Sequence, residues 1–381
     1  MTKSILFITS TRADFGKLEP LASASRDNGY NVTFYVTGMH MLEKYGMTKF
    51  EVSRLRDIKI HEVVNQKVGD PLHQIISQTI IDFSIFLQEQ NPDLVVIHGD
   101  RAEALACAIA CSTNNIMSAH IEGGEISGTI DEVFRHCNTK FCNHHFVSSK
   151  LAAKRIMAFG EPSESIHVIG SPELDFHAQP SGVSIEEVRE YYDIPFNSYG
   201  ICIFHPVTSE LDTIGKQAEQ LFNALKISNK NFVIILPNND PGSDKICSVI
   251  ERLPKDNFRV LPSMRFSYFS ELMKNAKCMV GNSSAGVREA PFIGISSLDI
   301  GSRQHLRSDS KSIHSAIASD EVSILGYLNN EWGQNYPSFF DFGEGNASQN
   351  FIQAVRKSSF WKISLQKKYD PSFLESWKNE I

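Results

Sequence analysis

The alternation of short apolar runs with longer helix-like segments constrains this 381-residue chain more than any other sequence feature. In the first half, runs rich in β-branched and aliphatic residues end at Thr9, His98 and Ile121, and segments with helical periodicity separate them. Near-continuous apolar strands that alternate with helices are typical of parallel sheets buried on both faces. The sequence therefore predicts an α/β fold built on parallel sheets.

A Pro- and Gly-containing segment at 177–183 interrupts this alternation and predicts a linker. The predicted strands before it are 4–9, 32–37, 58–64, 94–98, 117–121, 145–147 and 167–169, with helices at about 14–29, 73–90, 101–113 and 149–159. The predicted strands after it are 200–204, 232–236, 259–261, 278–280 and 296–300, with helices at about 347–358 and 370–379 near the end.

Two Rossmann-like domains with a cleft between them follow from this pattern, since a domain of this kind takes about 150 residues. We expect an N-terminal domain at 1–175 and a C-terminal domain at 184–350. The sequence does not assign the helices of 351–381 to one of the two domains, and packing on the N-terminal domain is one alternative.

Composition excludes several classes of partner. With 37 basic and 44 acidic residues the net charge is −7, so the chain is a poor candidate for binding nucleic acid or anionic membranes. No apolar run approaches the ~20 residues of a membrane span, and the start does not resemble a signal peptide. Seven cysteines, an odd number in apolar surroundings, indicate free thiols in a reducing compartment. We therefore expect a cytoplasmic protein.

The first polar cluster, Thr11-Arg12-Ala13-Asp14, follows the first predicted strand. It lacks the glycine fingerprint of dinucleotide-binding folds, which disfavours an NAD-dependent dehydrogenase. Arg12 at a helix start is suited to a phosphate or base. The alternative is that Thr11 or Asp14 only caps the helix and that Arg12 is a solvated charge.

Acidic residues concentrate after the predicted strands 94–98 and 117–121. They are Asp100, Glu122, Glu125, Asp131 and Glu132, with Arg101 and Arg135 nearby. Carboxyl ends of parallel strands meet at one edge of a sheet, and carboxylates held close together make acid–base partners. Asp100 as a simple helix cap, and Asp131 with Arg135 as a surface ion pair four residues apart, are the alternatives.

In the second half, His205 follows a strand, and Gly281-Asn282-Ser283-Ser284 follows another just before a helix. Backbone N–H groups, hydroxyls and the helix dipole at such a point suit a diphosphate, with Glu289 further along for a ribose and Arg303 after the next strand. A cap without a ligand is the alternative.

A metal site is disfavoured. The nearby candidates are His136, Cys137, Cys142, His144 and His145. Their spacing fits neither a Cys-x-x-Cys motif nor a helix-borne histidine pair. We therefore predict no metal.

Five motifs in one order carry a resemblance to a known family. They are Thr11-Arg12-Ala13-Asp14, His98-Gly99-Asp100-Arg101, His120-Ile121-Glu122-Gly123-Gly124-Glu125 with Gly128-Thr129-Ile130-Asp131, Phe204-His205-Pro206 and Gly281-Asn282-Ser283-Ser284. Over roughly residues 3–355 the chain resembles the hydrolysing UDP-N-acetylglucosamine 2-epimerases that begin sialic-acid biosynthesis. Non-hydrolysing relatives carry Thr-Arg-Pro-Glu in the first motif and lack Glu-Gly-Gly-Glu, which favours the hydrolysing branch.

The resemblance implies the glycosyltransferase-B architecture, with UDP mostly on the C-terminal domain, no cofactor, and a homodimer or homotetramer. It implies that Asp100, Glu122 and Asp131 are catalytic carboxylates. Arg135 and His205 would attend the diphosphate and sugar, and His40 matches a histidine of the hydrolysing subgroup. Together with the strand-end pattern, it assigns substrate binding to Arg12, Lys17, Arg101, Glu125, Phe269, Asn282, Ser283, Ser284, Glu289 and Arg303.

The expected reaction converts UDP-GlcNAc to ManNAc and UDP through a 2-acetamidoglucal. The same chemistry on UDP-2,4-diacetamido-bacillosamine or GDP-GlcNAc, as in legionaminic-acid pathways, is an open alternative. From other classes, a glycosyltransferase of the same architecture and a non-catalytic nucleotide-sugar sensor also stay open. A glycosyltransferase needs fewer loop carboxylates than this chain carries, so it ranks second.

Overall fold

The computed structural model describes residues 2–127, 130–237 and 240–372. They form two compact units. The first comprises residues 2–125, 131–175 and 342–372, and the second comprises residues 126, 127, 130, 176–237 and 240–341. Two parallel-sheet α/β units are the fold class that the sequence predicts.

The first unit is built on a seven-stranded parallel sheet of order β3-β2-β1-β4-β5-β6-β7. The strands are β1 (Ser4–Thr9), β2 (Asn31–Val36), β3 (Lys59–Glu62), β4 (Leu94–His98), β5 (Ser118–Ile121), β6 (His144–Val147) and β7 (Ile166–Val168). Strand order reverses between β1 and β4, and ligands of open parallel sheets bind beyond the carboxyl ends at such a point.

The helices of the first unit are α1 (Arg12–Asp27), α2 (Lys49–Val52), α3 (Leu72–Gln90), α4 (Ala102–Thr113), α5 (Ile130–Phe141), α6 (Lys150–Ala158) and α14 (Ala347–Val355). Short 3-10 turns lie at Gly38–Met41, Glu43–Tyr45, Ser163–Ser165 and Phe360–Lys362. The chain passes from the first unit to the second within α7 (Leu174–Ala178). Since β1, β4 and β5 are buried along nearly their whole length, the sheet is covered on both faces.

The second unit repeats this design with a six-stranded parallel sheet of order β10-β9-β8-β11-β12-β13. Its strands are β8 (Gly200–Ile203), β9 (Phe232–Ile235), β10 (Phe258–Leu261), β11 (Met279–Gly281), β12 (Ser297–Ile300) and β13 (Ile313–Ala316). Its helices are α8 (Ile185–Tyr191), α9 (Ile214–Ile227), α10 (Ser243–Ile250), α11 (Phe266–Lys274), α12 (Glu289–Ile293) and α13 (Glu321–Asn330), with 3-10 turns at Thr208–Glu210 and Ser284–Gly286. Here strand order reverses between β8 and β11.

The last described segment returns to the first unit. Phe351 and Val355 of α14 are buried in the same core as Phe7 and Phe146. Phe360 then stacks on His144 with ring centroids 3.8 Å apart. The sequence boundary at residue 350 therefore falls inside α14, and the predicted helix at 370–379 lies almost wholly outside the described residues.

β13 and the segment predicted as a linker differ from the sequence pattern. β13 is not predicted, because its residues Ile-His-Ser-Ala are largely half-exposed at a sheet edge and lack a continuous apolar run. The predicted linker at 177–183 begins inside α7, so His177 is helical and buried.

Candidate active site

The loop after β1 is organised by Asp14. Its carboxylate accepts hydrogen bonds from the backbone N–H groups of Ser10 and Thr11, at 3.0 and 2.9 Å, and from the hydroxyl of Thr9 at 2.6 Å. The Thr11 side chain accepts from the Asp14 N–H in return, which completes a capping box at the start of α1. The alternative in which Thr11 and Asp14 cap the helix is thus what this loop shows, and Arg12, half-buried, is the first helical residue.

His40 is fully buried beside this loop. Its Nε2 lies 2.9 Å from Thr9 Oγ1, and its Nδ1 lies 2.8 Å from Thr48 Oγ1. Burial lowers the pKa of His40 below 6.5, although the nearby Asp14 carboxylate opposes this effect. The ring is therefore neutral at neutral pH and ties the 3-10 turn after β2 to the end of β1.

Asp100 and Arg135 meet at the carboxyl end of β4. Arg135, on α5 and 4% exposed, donates from Nη2 to the Asp100 carboxylate and from Nη1 to the backbone oxygen of Glu125 at 3.2 Å. Asp100 follows Gly99, whose φ of 71° is a left-handed conformation that glycine adopts without strain. The structure thus brings together two residues that the sequence had singled out on separate elements.

Glu122, directly after β5, lies between two basic side chains. Lys17 Nζ is 2.8 Å from Oε1 and His98 Nε2 is 3.3 Å from Oε2. Glu122 also has a φ of 69°, an uncommon conformation for a residue with a side chain and one that clusters at functional sites. His98 belongs to one of the five sequence motifs, but the sequence alone predicted no role for it.

Lys17 contacts a second carboxylate as well. Its Nζ lies 3.8 Å from Glu173 Oε1. The sequence assigned Lys17 to the nucleotide, whereas in this structure its ammonium group balances Glu122 and Glu173. Glu173, 2% exposed, is a buried acidic residue of this cluster that the sequence did not identify.

The turn after Glu122 requires a glycine. Gly124 has a φ of 76°, and a Cβ there would lie 2.3 Å from the backbone oxygen of Ala152. This close approach of the loop to α6 places Glu125, 3% exposed, where its carboxylate accepts a hydrogen bond from the Ser148 hydroxyl. Glu125 is therefore fixed within the first unit through its side chain and its carbonyl.

His120 supports the turn that follows β4. Its Nε2 lies 2.8 Å from the carbonyl oxygen of Gly99, to which Asn138 also donates at 3.0 Å. Because a carbonyl only accepts, Nε2 carries the hydrogen. Complete burial lowers the pKa of His120 to about 3, so it stays neutral and positions the Gly99–Asp100 turn.

Two further predicted residues of the first unit lie at helix starts. Asp131 is the second residue of α5 and is half-buried. Arg101 precedes α4, is half-buried, and its Nη2 lies 3.7 Å from the sulfur of Met39.

In the second unit, Asn282 joins the two strands at the point where strand order reverses. Its Oδ1 accepts from the His205 N–H at 2.6 Å, and its Nδ2 donates to the His205 oxygen at 2.8 Å. The Asn282 carbonyl accepts from Arg303 at 3.1 Å and from Gln304 at 2.9 Å. Asn282 therefore acts as a clamp that brings His205 and Arg303 to one place.

His205 is buried at this clamp. Burial, and then the charge of Arg303, lower its pKa to about 3, while Asp240 opposes the shift. Its imidazole is neutral at neutral pH and has the hydrogen-bonding capacity of one donor and one acceptor.

The turn after Asn282 differs from the expected helix start. Ser283 caps a 3-10 turn of three residues, accepting from the Ala285 N–H at 3.4 Å, and α12 then has only five residues. So short a helix has little macrodipole, because the dipole sums over aligned peptide units. The hydroxyls and N–H groups around Ser283 and Ser284 remain as the groups suited to an anion.

Glu289 and Phe269 are both buried. The Glu289 carboxylate lies 2.9 Å from Nε2 of His177, a residue that sequence reasoning placed in the linker. Phe269, 8% exposed, packs in a core cluster with Leu261 and Met264. Half-buried Phe266 on the same helix has its ring 5.2 Å from that of Phe176.

The described residues contain no group of three or more His, Cys, Asp or Glu side chains arranged to hold a metal ion. The histidines near the predicted cysteine cluster have other partners, since His145 contacts Glu161 at 3.1 Å and His144 contacts His167 at 3.1 Å. No helix within the described ranges is long and apolar enough to cross a membrane.

Fold and site define a two-unit α/β enzyme whose acidic, basic and histidine side chains meet at the carboxyl ends of parallel strands. The sequence profile described as UDP-N-acetylglucosamine 2-epimerase matches residues 22–356. The UDP-N-acetylglucosamine 2-epimerase of Neisseria meningitidis serogroup B is 40% identical over 379 residues, covering 96% of this chain and 98% of that protein. This chain belongs to the UDP-N-acetylglucosamine 2-epimerase family, which confirms the family predicted from the sequence.

Two further similarities bear on substrate and fold. The UDP-N,N'-diacetylbacillosamine 2-epimerase (hydrolyzing) of Legionella pneumophila is 31% identical, covering 93% of this chain and 96% of that one. A crystal structure of UDP-GlcNAc 2-epimerase from Neisseria meningitidis bound to UDP-GlcNAc superposes with a TM-score of 0.76 at 18% identity, covering 93% of this chain and all of that one. The latter confirms the fold class.

Proposed function

We propose that this enzyme hydrolyses UDP-GlcNAc to ManNAc and UDP with inversion at C2, as the first step of sialic-acid-type sugar synthesis. The observation that carries the proposal is the pairing of Asp100 with Arg135, and of Glu122 with Lys17 and His98, at the ends of adjacent strands β4 and β5. The similarity over nearly the whole length of the meningococcal epimerase supports the same substrate.

The chemistry explains why several acidic groups are needed. The C2 proton of a sugar nucleotide is not acidic, so the C1–O bond breaks first and its electron pair leaves with the diphosphate. The oxocarbenium character at C1 then lets a carboxylate take the C2 proton, and the C2–H electrons form the double bond of 2-acetamidoglucal. Water adds its hydroxyl to C1 while an acid delivers a proton to the opposite face of C2. No carbon is oxidised overall, so the reaction requires no redox cofactor.

Each unit supplies a different part of this reaction. In the first unit, Asp100, Glu122 and Asp131 are the candidates for proton transfer on the two faces of C2, and Arg135 stabilises negative charge. In the second unit, the groups assigned to the nucleotide are His205, Asn282, Ser283, Ser284, Glu289 and Arg303. Neutral His205 suits a hydrogen bond to the departing diphosphate without the cost of burying another cation.

A second candidate substrate is UDP-2,4-diacetamido-bacillosamine. The observation in its favour is the similarity to the Legionella enzyme, at 31% identity over most of both chains. The higher identity to the meningococcal enzyme, 40%, ranks it below UDP-GlcNAc.

The experiment incubates purified protein separately with UDP-GlcNAc, GDP-GlcNAc and UDP-2,4-diacetamido-bacillosamine and follows free nucleoside diphosphate and free sugar. We expect UDP and ManNAc from UDP-GlcNAc without any acceptor, and in heavy water one deuterium at C2 of ManNAc. UDP-ManNAc as the product would contradict the hydrolytic step. Release of UDP only when an acceptor is present would identify a glycosyltransferase, and UDP binding without turnover would identify a sensor.

The proposed enzyme is a cytoplasmic homodimer or homotetramer. On α3, Ile81 and Ile85 are 56% and 54% exposed on one helix face, which supports burial against another copy. Light scattering after size exclusion tests this assignment, and a monomer at micromolar concentration would contradict it.

A further inference from the structure

A buried chain of three polar side chains stands behind Glu289. His177, on α7, lies with Nε2 2.9 Å from Glu289 Oε1 and with Nδ1 2.9 Å from Ser270 Oγ on α11. The His177 side chain is completely buried, Ser270 is 0% exposed and Glu289 is 6% exposed. Residues of α7, α11 and α12 therefore meet at this imidazole.

The arrangement is not that of a serine hydrolase. In a hydrolytic triad the serine faces Nε2 and the carboxylate holds Nδ1, whereas here the serine is at Nδ1 and the carboxylate at Nε2. Ser270 is also closed off from solvent and from any substrate. The Glu289 end of the chain, with a second carboxylate oxygen, is the one suited to meet a ligand.

The partner at Nε2 decides which nitrogen of His177 donates a hydrogen bond to Glu289. An ionised Glu289 only accepts, so Nε2 of His177 carries a hydrogen and donates it. On the other side of the ring, Nδ1 lies 2.9 Å from Ser270 Oγ, and the Ser270 hydroxyl also has the Phe176 carbonyl oxygen at 3.3 Å. Ser270 thereby holds the His177 ring in the plane in which Nε2 faces Glu289.

We propose that His177 is a positioning residue that orients the Glu289 carboxylate to accept hydrogen bonds from the vicinal hydroxyls of the nucleotide ribose. This inference rests on the function proposed above and names the group that gives its nucleotide site selectivity for a ribonucleotide. A glutamate loses side-chain freedom when it binds a diol, and a carboxylate already held through Oε1 has lost most of that freedom beforehand. The site then rejects a 2′-deoxyribose, which leaves a buried acceptor unpaired.

The matched variants are His177→Gln and His177→Asn. The longer glutamine amide reaches the position of Nε2 and keeps a donor on Glu289, whereas the shorter asparagine amide reaches only the position of Nδ1. Both keep a polar side chain in the same cavity. His314→Asn is the control. The His314 Nε2 lies 3.4 Å from Glu331 Oε2 in the same unit, and His314 contacts none of His177, Ser270 and Glu289 in this hydrogen-bonded series.

Calorimetry measures the Kd of UDP and of 2′-deoxy-UDP for each protein. We expect the wild type to prefer UDP by about tenfold or more, His177→Gln and His314→Asn to keep that ratio within about twofold, and His177→Asn to lose most of it. With UDP-GlcNAc, His177→Asn raises KM by about tenfold and leaves kcat within about twofold, because the ribose is remote from the reacting carbons.

An unchanged preference for UDP in His177→Asn overturns the inference, and so does a wild type that binds both nucleotides equally. A wild type that binds no UDP and does not turn over UDP-GlcNAc instead overturns the proposed function. A general loss of stability would lower the affinity for both nucleotides in parallel and leave the ratio of the two Kd values intact. Thermal unfolding of each variant measures such a loss of stability directly.

Discussion

At the scale of single residues, the acidic side chains at the ends of β4 and β5 each have a cationic partner, and the partners are what the sequence left open. Asp100 and Glu122 stand out in the sequence because polar residues directly follow apolar strands. Arg135 and Lys17 reach them from helices that are distant along the chain. A local pattern does not specify such pairings, because they depend on how α1 and α5 pack against the sheet.

Asp100→Asn is expected to lower turnover of UDP-GlcNAc by about 10²–10⁴-fold, since it removes a carboxylate from proton transfer. UDP affinity should stay within about threefold, because the main contacts to the diphosphate and ribose are assigned to groups of the second unit. Asp93→Asn is the matched control, since Asp93 pairs with Lys3 at 2.6 Å at the start of β1, at the opposite end of the sheet. Turnover in Asp100→Asn above half of wild type would exclude a catalytic role.

Asp299 on β12 is a buried acidic residue that the sequence did not identify. It is 7% exposed, and among the described residues its Oδ1 has no hydrogen-bond partner. Burial raises the pKa of Asp299 to about 7, even though Arg303 and Arg307 lower it. A raised pKa means that the folded state holds the proton more tightly than the unfolded state, so stability falls as pH rises from about 4 to about 7.

Asp299→Asn should therefore increase the free energy of unfolding at pH 8 by about 1–3 kcal/mol and change it little at pH 4.5. Urea unfolding at the two pH values measures the difference. Asp256→Asn, at an exposed position of the same unit, supplies the comparison and should show no such pH dependence. Equal effects of Asp299→Asn at both pH values would mean that the carboxyl is not protonated in the folded protein.

At the scale of elements, strands were predictable where they are buried on both faces and helices where a cap is local. β4 matches its prediction residue for residue because all five of its residues are apolar or buried. The capping box of Thr11 and Asp14 involves only four consecutive residues, so the local sequence is enough to indicate it. α12 is shorter than its surroundings suggest because Gly294, at a φ of 88°, ends it after one turn.

The C-terminal segment is held on the first unit by Lys367. Its ammonium group donates to the carbonyl oxygens of Thr139 and Cys142, at 2.8 and 2.5 Å, and lies 2.6 Å from Glu161 Oε2. Burial raises the pKa of Glu161, but the contacts with His145, Lys367 and Lys140 together lower it to about 2. The segment is thus held on the first unit by the ion pair of Lys367 with the buried Glu161 carboxylate, as well as by the aromatic contacts of Phe360.

Lys367→Met should destabilise the first unit by about 2–4 kcal/mol, because it leaves a buried carboxylate with fewer positive partners. Urea unfolding followed by tryptophan fluorescence reports this loss, since Trp361 lies in the same segment. Lys368→Met, one residue further on and exposed, should have an effect below about 0.5 kcal/mol. If the two variants were equally stable, the segment would not depend on this ion pair.

At the scale of the whole molecule, the chain forms two similar sheets, and the sequence predicts both but not the destination of its last helix. α14 is amphipathic, with Phe351 and Val355 on its buried side, and either sheet offers an apolar face of the same kind. Its return to the first unit depends on specific contacts, among them the Asp175 carboxylate, which accepts from the N–H groups of Ala347 and Ser348 at 2.8 Å each. Such a long-range cap has no signature in local periodicity.

Buried neutral histidines in both units predict how the molecule responds to acid. Burial lowers the pKa of His40, His120, His136, His144, His145, His167 and His205. Between pH 6.5 and the lowered values, about 3 for His120 and His205, the unfolded chain binds protons that the folded chain does not. The stability that these histidines contribute is therefore fully present above pH 6.5 and is lost as pH falls, by up to about 1.4 kcal/mol per pH unit for a completely buried ring such as His120.

Carboxyls with a raised pKa act in the opposite direction over part of this range. Burial raises the pKa of Glu19 and Asp299 to about 7 in each case, and also that of Asp175. Because the histidines outnumber these carboxyls, the net free energy of unfolding should decrease from pH 7 to pH 5. Urea unfolding across this interval measures the slope, and His120→Gln, which keeps a donor near the Gly99 oxygen, should reduce it by about one proton. A slope of zero or of opposite sign would show that the buried rings are already charged in the folded protein.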